Sequence, residues 1–89
     1  MARTLEVTVL EILESRRVLT LDDFMNELFK QCWSRGVICL KWVTNVENGR
    51  IRRFCTDAWE VLKRLEKRGL VEIGKRKSIT MLVFKGGKQ

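Results

Sequence analysis

Arg50, Arg52 and Arg53 crowd one short stretch, "NGRIRRFC". The guanidinium group is planar and permanently charged. Its forked donors match a phosphate or the O6/N7 edge of a guanine. A second cationic run, Lys75-Arg76-Lys77, lies between Gly74 and Ser78. It has no interleaved aromatic, so its chemistry is phosphate contact rather than base reading. Lys63, Arg64, Lys67 and Arg68 form a third group, but Glu60 and Glu66 are interleaved with them. Side-chain pairing along a helix explains part of that group, which reads mostly as a solvated face. The plain alternative for every one of these cations is solvation at the surface.

Other chemistries are poorly supplied. The 89-residue chain has no histidine, and so lacks the commonest general base and metal ligand. The three cysteines, Cys32, Cys39 and Cys55, form no CxxC pair. Zinc would need a fourth ligand that no histidine can supply. Buried free thiols are the expectation, with a Cys32–Cys39 bridge as the alternative. Asp22-Asp23 reads as helix-terminus chemistry rather than a metal site. There is no phosphate-cradling glycine loop. No catalytic residues, metal or cofactor are therefore expected, and the protein is read as a non-enzyme without an evident small-molecule substrate.

The charge balance agrees with a polyanionic partner. Eighteen Lys+Arg stand against 11 Asp+Glu, a net charge of +7. Residues that are 45% hydrophobic and 33% charged suit one small folded domain, 1–89, with 86–89 as a frayed tail. No apolar run is long enough to span a bilayer, and "MARTLEVTVLEILESRR" carries acids inside its apolar pattern, unlike a secretory signal. A cytoplasmic protein with no membrane contact is the expectation.

The elements that must position these cations follow from periodicity. Leu5, Val9, Ile12 and Leu13 predict a helix over residues 3–15. "RVLT" is a short extended link. Thr20 or Asp22 can cap a second helix with Leu21, Phe24, Met25, Leu28, Phe29 and Cys32 on its apolar face and Gly36 at its end. Residues 37–48 allow either a strand over 37–43 or a short helix over 40–46. Ile51, Phe54, Cys55, Ala58, Val61, Leu62 and Leu65 step by three and four, predicting one long helix over 48–68. In it Asn48 is the N-cap and Gly69 the C′ residue. Arg52, Thr56, Lys63 and Lys67 face outward with Arg53 and Glu60 beside them, and the plain alternative for Arg53 is its position four residues before Asp57. Runs at 70–73 and 79–85 then form a hairpin with a basic tip at 74–78.

The final stretch, "AWEVLKRLEKRGLVEIGKRKSITMLVFK", resembles the end of a winged helix-turn-helix domain, in which a recognition helix runs into an "L..RGLV.I" turn and a two-stranded wing. Small archaeal or viral regulators are similar in size and style. The resemblance implies an α+β fold with three main helices and a C-terminal wing. It also implies double-stranded DNA binding, as in a transcriptional regulator, with the third helix in the major groove. On that reading the DNA-binding residues are Arg50, Arg52, Arg53, Thr56 and Lys63 on the helix, and Lys75, Arg76 and Lys77 on the wing. The chain departs from the family pattern between residues 36 and 48, where a tight turn is usual. Two other readings stay open: a winged helix used as a protein–protein module, and RNA or single-strand binding. A continuous surface joining Arg52, Arg53 and the wing tip favours DNA; Trp42 or Trp59 exposed in an apolar patch favours a protein partner. Trp33, Trp42 and Trp59 suit core or dimer packing better than base stacking. Surplus apolar residues on helix 1, Leu5, Val7 and Leu10, suit a homodimer.

Overall fold

A computed structural model describes residues 4–35 and 41–86. Thr4 opens the first helix, α1 (Leu5–Arg16), by accepting a hydrogen bond from the Val7 N–H at 3.2 Å. The helix stops at Arg17, whose φ of 67° turns the chain out of the helix while its N–H still donates to the Leu13 carbonyl. The chain then runs extended as β1 (Val18–Thr20). Thr20 caps α2 (Leu21–Arg35): its hydroxyl accepts from the Asp23 N–H at 3.1 Å. The expected Gly36 cap lies outside the described residues.

The next two strands, β2 (Trp42–Glu47) and β3 (Arg50–Cys55), form an antiparallel ribbon. This corrects the long helix expected over 48–68, and also the short helix allowed over 40–46. Asn48 and Gly49 have φ of 54° and 77°, so both occupy the left-handed region that a two-residue type I′ turn requires. Asn48 is therefore a turn residue, not a helix cap. The helix α3 spans Thr56–Lys67, and its N-cap is Cys55, whose sulfur accepts from the Ala58 N–H at 3.4 Å. Arg53 and Asp57 consequently share no helix. The far end of α3 follows the expectation. Gly69, at φ 78°, donates to the Glu66 carbonyl, and the Leu70 N–H reaches back to Leu65. That pair of bonds is a Schellman stop, which only a residue tolerant of positive φ completes without strain.

The expected terminal hairpin is present as β4 (Val71–Arg76) and β5 (Ile79–Phe84), turned at Lys77-Ser78. β5 is also paired with β1, giving a three-stranded antiparallel sheet of order β1-β5-β4. The fold is thus α+β, with three helices and two small antiparallel sheets. Its core joins Val9, Ile12 and Leu13 of α1, Phe24, Met25 and Leu28 of α2, Val61, Leu62 and Leu65 of α3, and Leu82 and Phe84 of β5. Ile51, expected in that core, is more than half exposed on the ribbon, and Phe54 is only half-buried against Trp59. Leu5 and Leu10 pack partly on the core, so of the apolar surplus on α1 only Val7 is exposed. The molecule measures 42 × 39 × 19 Å. Its least dimension is close to one helix layer laid on one sheet layer, about 10 Å each.

Candidate nucleic-acid interface

Strand alternation decides where the arginines go. On β3, Arg50 and Arg52 fall on one side of the ribbon and Ile51 and Arg53 on the other. Arg52 is doubly engaged. One guanidinium nitrogen donates to Glu47 on β2 at 2.8 Å, the other to Asp22 at the start of α2 at 3.2 Å. Hydrogen bonds to Glu47 first, and then to Asp22, hold it still more firmly protonated than an ordinary arginine. The guanidinium carbon of Arg53 sits over the Phe29 ring, 4.3 Å from its centre. The edge of that same ring system meets Trp42 at 5.2 Å and a near-perpendicular 89°. Phe29 thereby ties both strands of the ribbon to α2.

The ribbon, the first turn of α2 and the β4–β5 turn enclose a groove of about 770 Å³. Its lining combines Arg50, Arg52 and Arg53 and the carboxylate of Glu47 from the ribbon, Asp22, Asp23 and Asn26 from α2, and Ser78, Ile79 and Thr80. Three further cations belong to the β4–β5 hairpin: Arg76 is the cross-strand partner of Ile79, Lys75 of Thr80, and Lys77 is in the turn itself. Arg50, Arg52 and Arg53 thus line the groove, while Lys75, Arg76 and Lys77 lie on the hairpin beside it and not in its lining.

The cations differ in what engages them. Arg16 pairs with Glu27, Arg68 with Glu6, Lys85 with Glu72, and Lys63 with Glu66 at 3.5 Å. Lys63 also lies 5.7 Å from the Trp59 ring. Among the described residues, Arg50, Arg64, Lys67, Lys75, Arg76 and Lys77 have no acidic partner within 4.0 Å. Of the eight residues proposed from sequence, four are therefore exposed, unpaired cations at the ends of two hairpins: Arg50, Lys75, Arg76 and Lys77. Arg52, Arg53 and Lys63 are engaged inside the molecule, and Thr56 is the exposed first residue of α3.

Sequence reasoning missed the parts that anchor the ribbon: Phe29, and Asp22 as the partner of Arg52. It also missed the exposed cross-strand pair Val46 and Ile51. The signal for the ribbon was the Asn48-Gly49 dipeptide flanked by alternating residues. The cysteines also differ from expectation. Cys55 is buried and disulfide-bonded, with a partner outside the described residues, while Cys32 is a free thiol. The alternative Cys32–Cys39 bridge is thereby excluded. Burial pushes the Cys32 thiol up, away from the reactive thiolate. No group of three or more Cys, Asp or Glu residues among those described is placed to hold a metal, and no helix among them is long and apolar enough to cross a membrane. In comparison with known proteins, the chain matches no family model, no curated protein and no solved structure.

Proposed function

We propose that the protein binds double-stranded DNA as a winged-helix regulator that carries an extra ribbon between its second and third helices. The observation that supports this reading best is the placement of unpaired cations. Arg50 at the end of one hairpin and Lys75, Arg76 and Lys77 at the end of another flank a single groove, on a chain of net charge +7. Cations already engaged by carboxylates contribute little to an external partner; unpaired ones release condensed counterions when they meet phosphate. The wing following α3 and the three-stranded sheet order β1-β5-β4 are compatible with the winged-helix form. The ribbon replaces the tight turn that usually joins the second and third helices. In this reading the duplex lies across the two hairpin ends, and the cations expected on one helix over 48–68 divide between β3 and α3. Trp42 and Trp59 are half-buried against the core, and the apolar groups displayed at the groove are Ile51 and Ile79.

The test is a titration of random duplex, single strand and structured RNA at several salt concentrations. Wild type is compared with a Lys75→Ala, Arg76→Ala, Lys77→Ala triple variant. The duplex is expected to bind tightest. The triple variant should weaken all duplex sequences alike and flatten log K against log salt by up to about 2.7, at about 0.9 for each phosphate no longer neutralised. Unchanged duplex affinity in the folded triple variant, or a preference for single strands, would refute the proposal.

A further inference from the structure

We infer that the β2–β3 ribbon, rather than α3, is the element that reads base edges, with Arg50, Asn48 and the Val46–Ile51 pair as the specificity-determining residues. This rests on the DNA-binding reading above and names the reading part of the same surface.

The end of the ribbon is displayed without a structural reason. Val46 and Ile51 are direct cross-strand neighbours, 74% and 53% exposed. No core covers them, so they add little to stability where they stand. They lie on the opposite side of the ribbon from Arg50, so a tip entering the major groove end-on sets both sides against base edges, where this pair matches the C5-methyl group of thymine. Arg50 and Arg52 share a strand and a side, yet only Arg52 is engaged by carboxylates; Arg50 keeps both arms of its fork free. That fork is the side chain best suited to guanine O6 and N7, and the amide of Asn48, in the exposed turn, suits adenine N6 and N7.

The base of the ribbon, in contrast, is held fast. Arg52 clamps it to Asp22, and Arg53 and Trp42 close on Phe29. A reading head needs that division: an anchored base that fixes position and an uncommitted tip that meets the bases. Size permits it. The major groove, about 12 Å wide and 8.5 Å deep, admits a two-stranded ribbon as readily as a helix. Beyond the Arg52–Asp22 pair each strand continues for two residues, roughly 7 Å, before the Asn48-Gly49 turn, so the tip alone enters that depth. The outer face of α3 is less suited. Lys63 there is already paired with Glu66, and the remaining unpaired cations of that face, Arg64 and Lys67, suit phosphate contact.

The experiment is selection from a random duplex library, followed by titration of the selected and random duplexes. The proteins are wild type, Arg50→Lys, Arg50→Ala, a Val46→Thr, Ile51→Thr double variant and an Arg64→Ala, Lys67→Ala variant of α3. Threonine retains the β-branch, so the ribbon and its register survive; circular dichroism checks this. Wild type is expected to enrich a motif. Arg50→Lys keeps a charge but lacks the fork, and both Arg50 variants should lose a guanine preference of roughly 5- to 150-fold at one position. The threonine pair should lose discrimination at thymine. The α3 variant should weaken every sequence and leave the motif intact. A motif unchanged by the ribbon variants, or changed by the α3 variant, overturns the assignment while leaving DNA binding standing. A wild type that binds duplex but enriches nothing overturns it too. A wild type that binds no duplex removes both readings together.

Discussion

Phe29 ties both strands of the ribbon to α2, and replacing it with leucine isolates what the ring contributes. Leucine keeps much of the apolar volume and removes the ring. Two ring-specific interactions disappear with it. The edge-on meeting with Trp42 at 5.2 Å belongs to a class that contributes about 0.5–1.5 kcal/mol beyond buried area. The Arg53 guanidinium over the ring at 4.3 Å contributes about 0.5–1 kcal/mol at a partly exposed site. Trp33 is too exposed to add much at 6.3 Å. Phe29→Leu is therefore expected to cost about 1–2.5 kcal/mol. Phe29→Ala adds about 1–1.5 kcal/mol for the half-buried side chain itself. Because β3 packs along α2 through this ring, the loss should appear first as local opening of the ribbon. Native-state amide exchange is the assay. The β2–β3 ladder should exchange about 5- to 70-fold faster in Phe29→Leu, while amides of α1 and β5 change less. If ladder exchange and the urea midpoint both stay within error of wild type, the ring does not anchor the ribbon and the reasoning fails.

Leu62 is fully buried at the centre of α3, so Leu62→Ala should lower stability by about 2–5 kcal/mol on urea denaturation; a change under about 0.5 kcal/mol would show that its face is misassigned. Gly49→Ala should cost about 1–2 kcal/mol from its φ of 77° alone, because a Cβ there meets nothing within 4 Å; an unchanged midpoint would contradict the turn geometry. Since burial pushes the Cys32 thiol up, less thiolate is present at pH 8 than for an ordinary cysteine. Its reaction with a disulfide reagent should be slower in the folded protein than after denaturation, and equal rates would contradict the burial.

Much of this architecture could be read without coordinates. The caps at Thr20 and Gly69, the apolar spacing of α1, α2 and the second half of α3, and the basic hairpin at the end all rest on local signals, and all appear in the fold. The failure lies in residues 48–55. Ile51, Phe54 and Cys55 lead into Ala58 at steps of three and four, which mimic a helical face. In the fold that agreement is coincidental: Ile51 is exposed, and Cys55 ends a strand. Asn48-Gly49 carried the opposing signal, and a strong turn dipeptide outweighs a short run of spacing that a strand can also supply. The site was legible in composition but not in commitment. Whether Arg50 or Arg52 is available to a partner depends on Asp22, 30 residues away in the chain, and no local pattern reports that pairing.

The pairing of β1 with β5 bears on how the molecule is made. Val18 lies opposite Val83, so one small sheet joins segments separated by nearly the whole intervening chain. The β2–β3 and β4–β5 hairpins close loops of two residues and can form within microseconds. Sealing β1 onto β5 requires ordering a long loop first, and that entropy is recovered only when Leu82 and Phe84 enter the core. During synthesis the apolar faces of α1, α2 and α3 emerge before the strand that covers them. The nascent polypeptide therefore stays incompletely folded until β5 has left the ribosomal tunnel, and the strand that brings Ile79 and Thr80 to the groove is also the latch of the whole domain.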